Sequence, residues 1–153
     1  MDKYDFCLSV QFLTLGMERW MDDIIEILDG IFSPSLIVLR NDSPARLLEG
    51  MEIGKKVVKG TLDRLPVIKE DSVRFEVDPL LGQKTGFFLD QRDNRARVEK
   101  LSRDKSVLNV FAYTGGFSVY AARGGAKEIV SVDISAPALE AAVRNMGYNT
   151  LTI

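Results

Sequence analysis

The chain has 153 residues, 46% of them hydrophobic and 27% charged, with a net charge of −2 at pH 7. That suits one ordinary globular domain or two small ones and excludes a disordered or collagen-like chain. A single cysteine precludes an internal disulfide and fits a reducing cytoplasm, and the absence of histidine removes imidazole bases and histidine-held metals.

No apolar stretch is long enough to span a bilayer, and no basic segment leading into an apolar core opens the chain, so neither membrane insertion nor a secretory leader is expected. A self-sufficient RNA-binding surface usually carries a basic excess, and none is present. Arg92, Arg95, Arg97, Lys100, Arg103 and Lys105 do fall close together. That cluster reads as a solvated helix face or as a local patch.

In chain order, Phe6, Leu8, Val10 and Phe12 alternate with smaller or polar residues and predict a strand. Cys7, inside it and without a histidine partner, reads as a packing residue. Met17, Trp20, Met21, Ile24, Leu28 and Ile31 recur at three and four residues and predict one amphipathic helix, its Met and Trp stripe in the core and its acidic face away from phosphate. Gly30 to Pro34 stops it. Ser35–Arg40 reads as a strand, residues 41–44 as a turn, and 45–49 as one helical turn. Gly50, Gly54 and Gly60 mark a loop-rich stretch around Lys55, Lys56 and Lys59, lysines that suit a polar loop or a phosphate contact.

Residues 65–69 and 73–78 predict a hairpin turning at 70–72, with Val73, Phe75 and Val77 on one side. Strand alternation ends and glycine appears near Pro79 to Gly82, which places a domain boundary there: a small α+β domain over 1–80, then a second over 81–153. A helix over 90–103 follows, with Ala96, Val98 and Leu101 available to pack. Phe87 and Phe88 stand directly before Asp90, Gln91 and Arg92. They read as a hydrophobic staple ahead of a capped helix or as a site, since an aromatic covers a base and an arginine holds a carboxylate.

The next unit carries the chemistry. An apolar run, Val107 to Ala112, meets Tyr113-Thr114-Gly115-Gly116 and a helix-compatible segment from Phe117 to Arg123, capped by Gly124-Gly125. Glycine lets backbone approach a ligand, and free N–H groups at a helix start face the same space. Seventeen residues after Gly116, Asp133 ends a second apolar run, Ile129 to Val132. At the carboxyl edge of a parallel neighbour its carboxylate can accept from both hydroxyls of a ribose. The dinucleotide pattern G-x-G-x-x-G fails, because Tyr113 and Ser118 occupy the outer positions around Gly115. The turn therefore suits a ligand built of an amino acid and an adenosine better than a pyrophosphate. Ser135 and Pro137 open a further helix with Leu139, Ala142, Val143 and Met146 as its apolar stripe, and 149–153 suggest a third strand.

Phe111 to Ser118, followed by Ser131-Val132-Asp133-Ile134-Ser135, resembles the S-adenosylmethionine (SAM) motifs of class I methyltransferases. Gly82 to Arg95 narrows this to a resemblance with the RlmI-like family of 23S ribosomal RNA cytosine-C5 methyltransferases. The resemblance implies an α/β chain: a small α+β domain, then the first βαβα part of a Rossmann-like SAM-binding sheet. It implies SAM as cofactor, ribosomal RNA as partner and a cytoplasmic location. Tyr113, Thr114, Gly115, Gly116, Phe117, Asp133 and Ile134 would line the cofactor, with Gln91 or Arg92 near its methionine carboxylate.

In that family a thiolate adds to C6 of the cytosine and makes C5 nucleophilic. The family's Asp-Pro-Pro segment and catalytic cysteine lie beyond the motifs present here, as does most of the seven-stranded sheet. The chain thus resembles the middle of a longer enzyme, without the PUA domain ahead of it and unable to catalyse transfer alone. A guanine-N7 relative fits the same motifs, and Tyr4 to Asp78 reads alternatively as a non-catalytic RNA-contacting or dimerising module. Val107–Ala112 and Ile129–Val132 would have few neighbours, and self-association through that sheet edge is expected.

Overall fold

A computed structural model describes residues 1–149. Contacts divide the chain into two units. The first is Met1–Pro66 with Val77–Phe87; the second is Val67–Glu76 with the chain from Phe88 onward. The sequence boundary expected near residue 80 is a single cut, whereas in space the hairpin that precedes it groups with the later residues.

The first unit is built on a four-stranded sheet in the order β1-β2-β3-β4. Strands β1 (Asp2–Tyr4) and β2 (Cys7–Val10) form an antiparallel hairpin that turns at Asp5, whose φ is 51°. Two helices follow, α1 (Leu15–Glu18) and α2 (Met21–Phe32), and the chain then enters β3 (Leu36–Asn41) parallel to β2. After α3 (Ala45–Leu48) it runs back as β4 (Gly54–Lys59), antiparallel to β3. Leu8, Val10, Phe12, Ile37 and Leu39 form a core that Met21, Ile24, Ile25 and Leu28 of α2 cover.

On the other face Arg40 is buried and donates to the carbonyls of Pro79 (3.1 Å) and Gly82 (2.8 Å), which holds the 77–87 segment against the sheet. Tyr4 adds a 2.8 Å bond from its hydroxyl to Thr85 Oγ1.

Two expectations are corrected here. The single helix is broken at Arg19–Trp20, and Met17, Trp20 and Ile31 stand exposed instead of in the core. A period of three to four marks which residues share a face; it cannot say where the helix breaks. The lysine-bearing stretch 54–59 is an edge strand, since pairing with β3 outweighs its weak strand propensity. The opening hairpin adds β1, which three residues are too few to announce.

The second unit begins with the antiparallel hairpin β5 (Val67–Glu70) and β6 (Val73–Glu76). A 3-10 turn at Leu89–Gln91 leads into α4 (Arg92–Leu101). Then come β7 (Ser106–Val110), α5 (Gly116–Arg123), β8 (Glu128–Val132) and α6 (Ala136–Tyr148). Strands β7 and β8 pair parallel, Val110 opposite Val132.

Helix α4 packs otherwise than expected: Leu101 is exposed, and the residue turned inward is Arg95, 2% exposed. Its guanidinium grips Glu70 through Nε (2.8 Å) and Nη2 (2.5 Å) and donates to the Phe88 carbonyl (3.0 Å). The bidentate pair satisfies charges that burial would otherwise penalise. Helix α6 starts as expected, Ser135 Oγ accepting from Ala138 N–H, but Val143 faces outward. The expected third strand falls on residues 150–153, outside the described ones, apart from Asn149, the C-cap of α6.

One face of the β7–β8 pair is covered: Asn109 Nδ2 donates to Ser118 Oγ (2.8 Å), which also bonds Ser131 Oγ (2.7 Å). The opposite face is bare among the described residues, with Leu108, Val110, Val130 and Val132 exposed.

Candidate functional site

The site stands at the carboxyl ends of β7 and β8. After Val110 the backbone adopts left-handed φ at Phe111 (60°), Tyr113 (49°) and Gly115 (76°). A side chain in this region is strained, by about 1–3 kcal/mol for each non-glycine residue. The surrounding bonds hold the shape: Ala112 N–H donates to Val132 O (3.0 Å), Gly115 N–H to Ala112 O (2.9 Å) and Tyr113 N–H to Asp133 Oδ2 (2.7 Å). Asp133 therefore lies directly across from the glycine turn, as the spacing predicts, and is bonded to it.

Its other oxygen accepts from Ser135 N–H at 2.9 Å. The N–H groups of Ser135, Tyr113 and Ile134 hold the Asp133 carboxyl below its ordinary value, so it is an anion at neutral pH. An ionised carboxylate offers about four lone-pair positions, so acceptor capacity remains for a donor pair such as a ribose diol.

Gly115 is required by the packing of its own unit. A Cβ there would lie 2.7 Å from the Ala142 Cβ, so what the glycine admits is helix α6. Gly116 and Phe117 form the first turn of α5, which no side chain caps. The positive end of its peptide dipoles thus faces the turn. Thr114 is buried, and among the described residues its hydroxyl has no hydrogen-bond partner. An orphaned buried hydroxyl, an uncapped helix start and an anion with spare lone pairs make a set whose chemistry fits SAM, a molecule that carries a carboxylate and two ribose hydroxyls. Ile134, next to Asp133, is fully exposed.

Gln91 and Arg92 have other contacts. Gln91 donates to Asp90 (3.3 Å) and accepts from Asn94 (2.9 Å), while Arg92 pairs with Asp71 at the hairpin tip. What reaches the turn from this segment is Phe88, whose ring meets that of Tyr113 edge-on, 5.5 Å between centroids. Asn145 escaped the sequence reading altogether. It is fully buried on α6 and donates from Nδ2 to the Thr114 carbonyl (2.9 Å). The available signal was an amide at 145 and again at 149, interrupting the apolar stripe of α6.

A parallel βαβ unit with an acidic residue across from an uncapped glycine turn is the arrangement of a Rossmann-like α/β fold. The family model for S-adenosylmethionine-dependent methyltransferases matches residues 53–152, and the chain belongs to that family. It is 46% identical over 153 residues to the protein called ribosomal RNA large subunit methyltransferase I of Pseudoalteromonas translucida, covering 99% of this chain and 39% of that one. A protein of the same name from Shewanella denitrificans is 43% identical over 98% of this chain and 38% of its own length. In fold the chain matches a putative SAM-dependent methyltransferase from Streptococcus mutans with a TM-score of 0.81 and 24% identity, covering 98% of this chain and 38% of that one. The chain thus spans about two fifths of the length of the curated relatives it matches. Among the described residues no helix is long and apolar enough to cross a membrane.

Proposed function

We propose that this chain is the donor-binding part of a ribosomal RNA methyltransferase that acts on cytosine C5 in 23S rRNA. The observation that carries the reading is the Asp133 carboxylate bonded across the glycine turn to Tyr113 N–H at 2.7 Å. Bound SAM supplies an electrophilic methyl group. The chain's own residues bind and orient: Asp133 would hold the ribose hydroxyls, and Ile134 would offer an apolar surface to the adenine. The N–H groups of Gly116 and Phe117 at the start of α5, with the Thr114 hydroxyl, take the methionine end, while Tyr113 and Gly115 shape the turn. Gln91 and Arg92 remain in the proposed site as groups for the methionine carboxylate. Arg92 has an exposed partner in Asp71, and solvent screens such a pair, so it is a small obstacle to exchange.

Cys7 does not supply the cytosine-attacking thiolate. It is fully buried, and burial pushes its thiol up to about 12. Transfer is assigned to the whole enzyme, with ribosomal RNA as partner on the strength of the relatives' names, and the cytoplasm as the location such a substrate implies. The bare face of Leu108, Val110, Val130 and Val132 supports self-association of this chain, and a concentration-independent monomer by sedimentation contradicts that.

Calorimetry with SAM beside NAD tests the donor site. SAM binding that is lost in Asp133→Ala supports it; NAD binding, or no binding, overturns it. Arg92→Ala is expected to weaken SAM, and unchanged affinity removes Arg92 from the site. Labelled methyl transfer to 23S rRNA by the whole enzyme, with the product base mapped, tests the target.

A further inference from the structure

Helix α6 carries an amide ladder. Asn145 Oδ1 accepts from Glu76 N–H (2.8 Å), and Asn149 accepts from Arg74 N–H (2.8 Å) while donating to Arg74 O (2.8 Å). These groups are alternate residues on the outer edge of β6, so two side chains on one helix stand where a neighbouring strand's backbone would pair. Asn149 also donates to the Asn145 carbonyl one turn back (2.7 Å), which ties the two amides together. Only Asn145 reaches further: its Nδ2 donates to the Thr114 carbonyl (2.9 Å), in the middle of the strained turn.

We propose that Asn145 is a positioning residue of the cofactor turn, setting the Thr114 carbonyl from the edge of the β5–β6 hairpin. The inference rests on reading that turn as the methyl-donor site. A primary amide is the side chain that does this without charge, because it offers one acceptor to β6 and one donor to the turn. Fixing the carbonyl fixes the peptide that leads into Gly115. It also fixes the direction of the first N–H groups of α5. Coupling runs through two hydrogen bonds of one buried side chain, so a loosened hairpin edge and a loosened turn are the same event.

Asn145→Asp tests this, since it keeps the acceptor toward Glu76 N–H and replaces the donor with a carboxylate oxygen facing a carbonyl. Buried without a cation of its own, that carboxyl titrates above its ordinary range, and once protonated it donates again. The charged residues that carry or adjoin these contacts are Glu76 and Arg74 of β6 and Arg144 of α6, with the Tyr148 phenol bonded to Glu76. Glu76 already engages Arg144 (2.8 Å) and Tyr148 (3.2 Å).

Titration of wild type, N145D and N149A with SAM at about pH 7.5 and about pH 5.5 gives the readout. N145D binds about tenfold more weakly than wild type at the higher pH, as expected for one lost buried bond, and recovers most of this at the lower. N149A, which removes the Arg74 bonds but leaves both Asn145 bonds, to Glu76 N–H and to the Thr114 carbonyl, loses thermal stability but stays within about twofold of wild-type affinity. If N145D does not fold, Asn145→Ala carries the test, with the loss expected at both pH values. Wild-type affinity in N145D at the higher pH, or in N145A, overturns the inference and leaves the donor site standing. Failure of wild type itself to bind SAM overturns both.

Discussion

Gly115→Ala probes the site's construction most directly. The residue has φ 76°, where an added Cβ costs about 1–2 kcal/mol. The same Cβ would lie 2.7 Å from Ala142 Cβ and 3.2 Å from Ala142 Cα, overlaps that demand movement of α6. Overpacking of this kind costs about 1–3 kcal/mol. The substitution therefore destabilises by about 2–5 kcal/mol out of the roughly 5–15 kcal/mol typical of a domain. In a chain of this size that lowers the melting temperature by roughly 10 °C.

A double-mutant cycle separates the two causes. Ala142→Gly alone costs about 1 kcal/mol as glycine in a helix. In the Gly115→Ala background it removes the overlapping methyl, so a favourable coupling of about 1–3 kcal/mol is expected, with the backbone part of the cost remaining. Urea unfolding followed by circular dichroism measures all four proteins. A Gly115→Ala change within about 0.5 kcal/mol of wild type, or strict additivity with Ala142→Gly, refutes the claim that this glycine admits α6.

Three further predictions follow from the same geometry. Asp133→Asn weakens SAM binding by about tenfold or more, because a charge-assisted acceptor becomes a neutral amide. Its stability cost has a defined pH window. The folded carboxyl lies below its ordinary value of 3.8, so its contribution is present above that value and lost as pH falls through the lower folded one. A wild-type advantage in urea that persists unchanged well below pH 3.8 contradicts this. Arg95→Ala leaves Glu70 buried without its cation and costs about 3–5 kcal/mol in unfolding free energy, whereas Arg95→Met with Glu70→Leu recovers much of that; equal losses in the two count against it. Cys7, buried and with its thiol pushed up to about 12, reacts with a thiol reagent only as fast as the chain unfolds, and rapid labelling at neutral pH contradicts the buried placement.

The sequence alone determined what depends on neighbours along the chain. Period-two runs gave β2 and the β5–β6 hairpin, and a short apolar run gave β3. Ser135 and Pro137 gave the start of α6. The Gly115-Gly116 turn, with Asp133 ending the next strand, gave the candidate site's two walls, because a βαβ unit fixes their separation by its own length. What only tertiary structure decided depends on groups far apart in sequence. Period could not reveal that Trp20 and Ile31 stand exposed while the charged Arg95 is buried, because Arg95 is held by Glu70, 25 residues before it. Nor could composition show that Gly115 makes room for Ala142, or that Asn145 ties the turn to β6. Those are contacts between side chains and backbone brought together by packing, and a hydrogen bond or a steric overlap leaves no periodic trace in the chain that makes it.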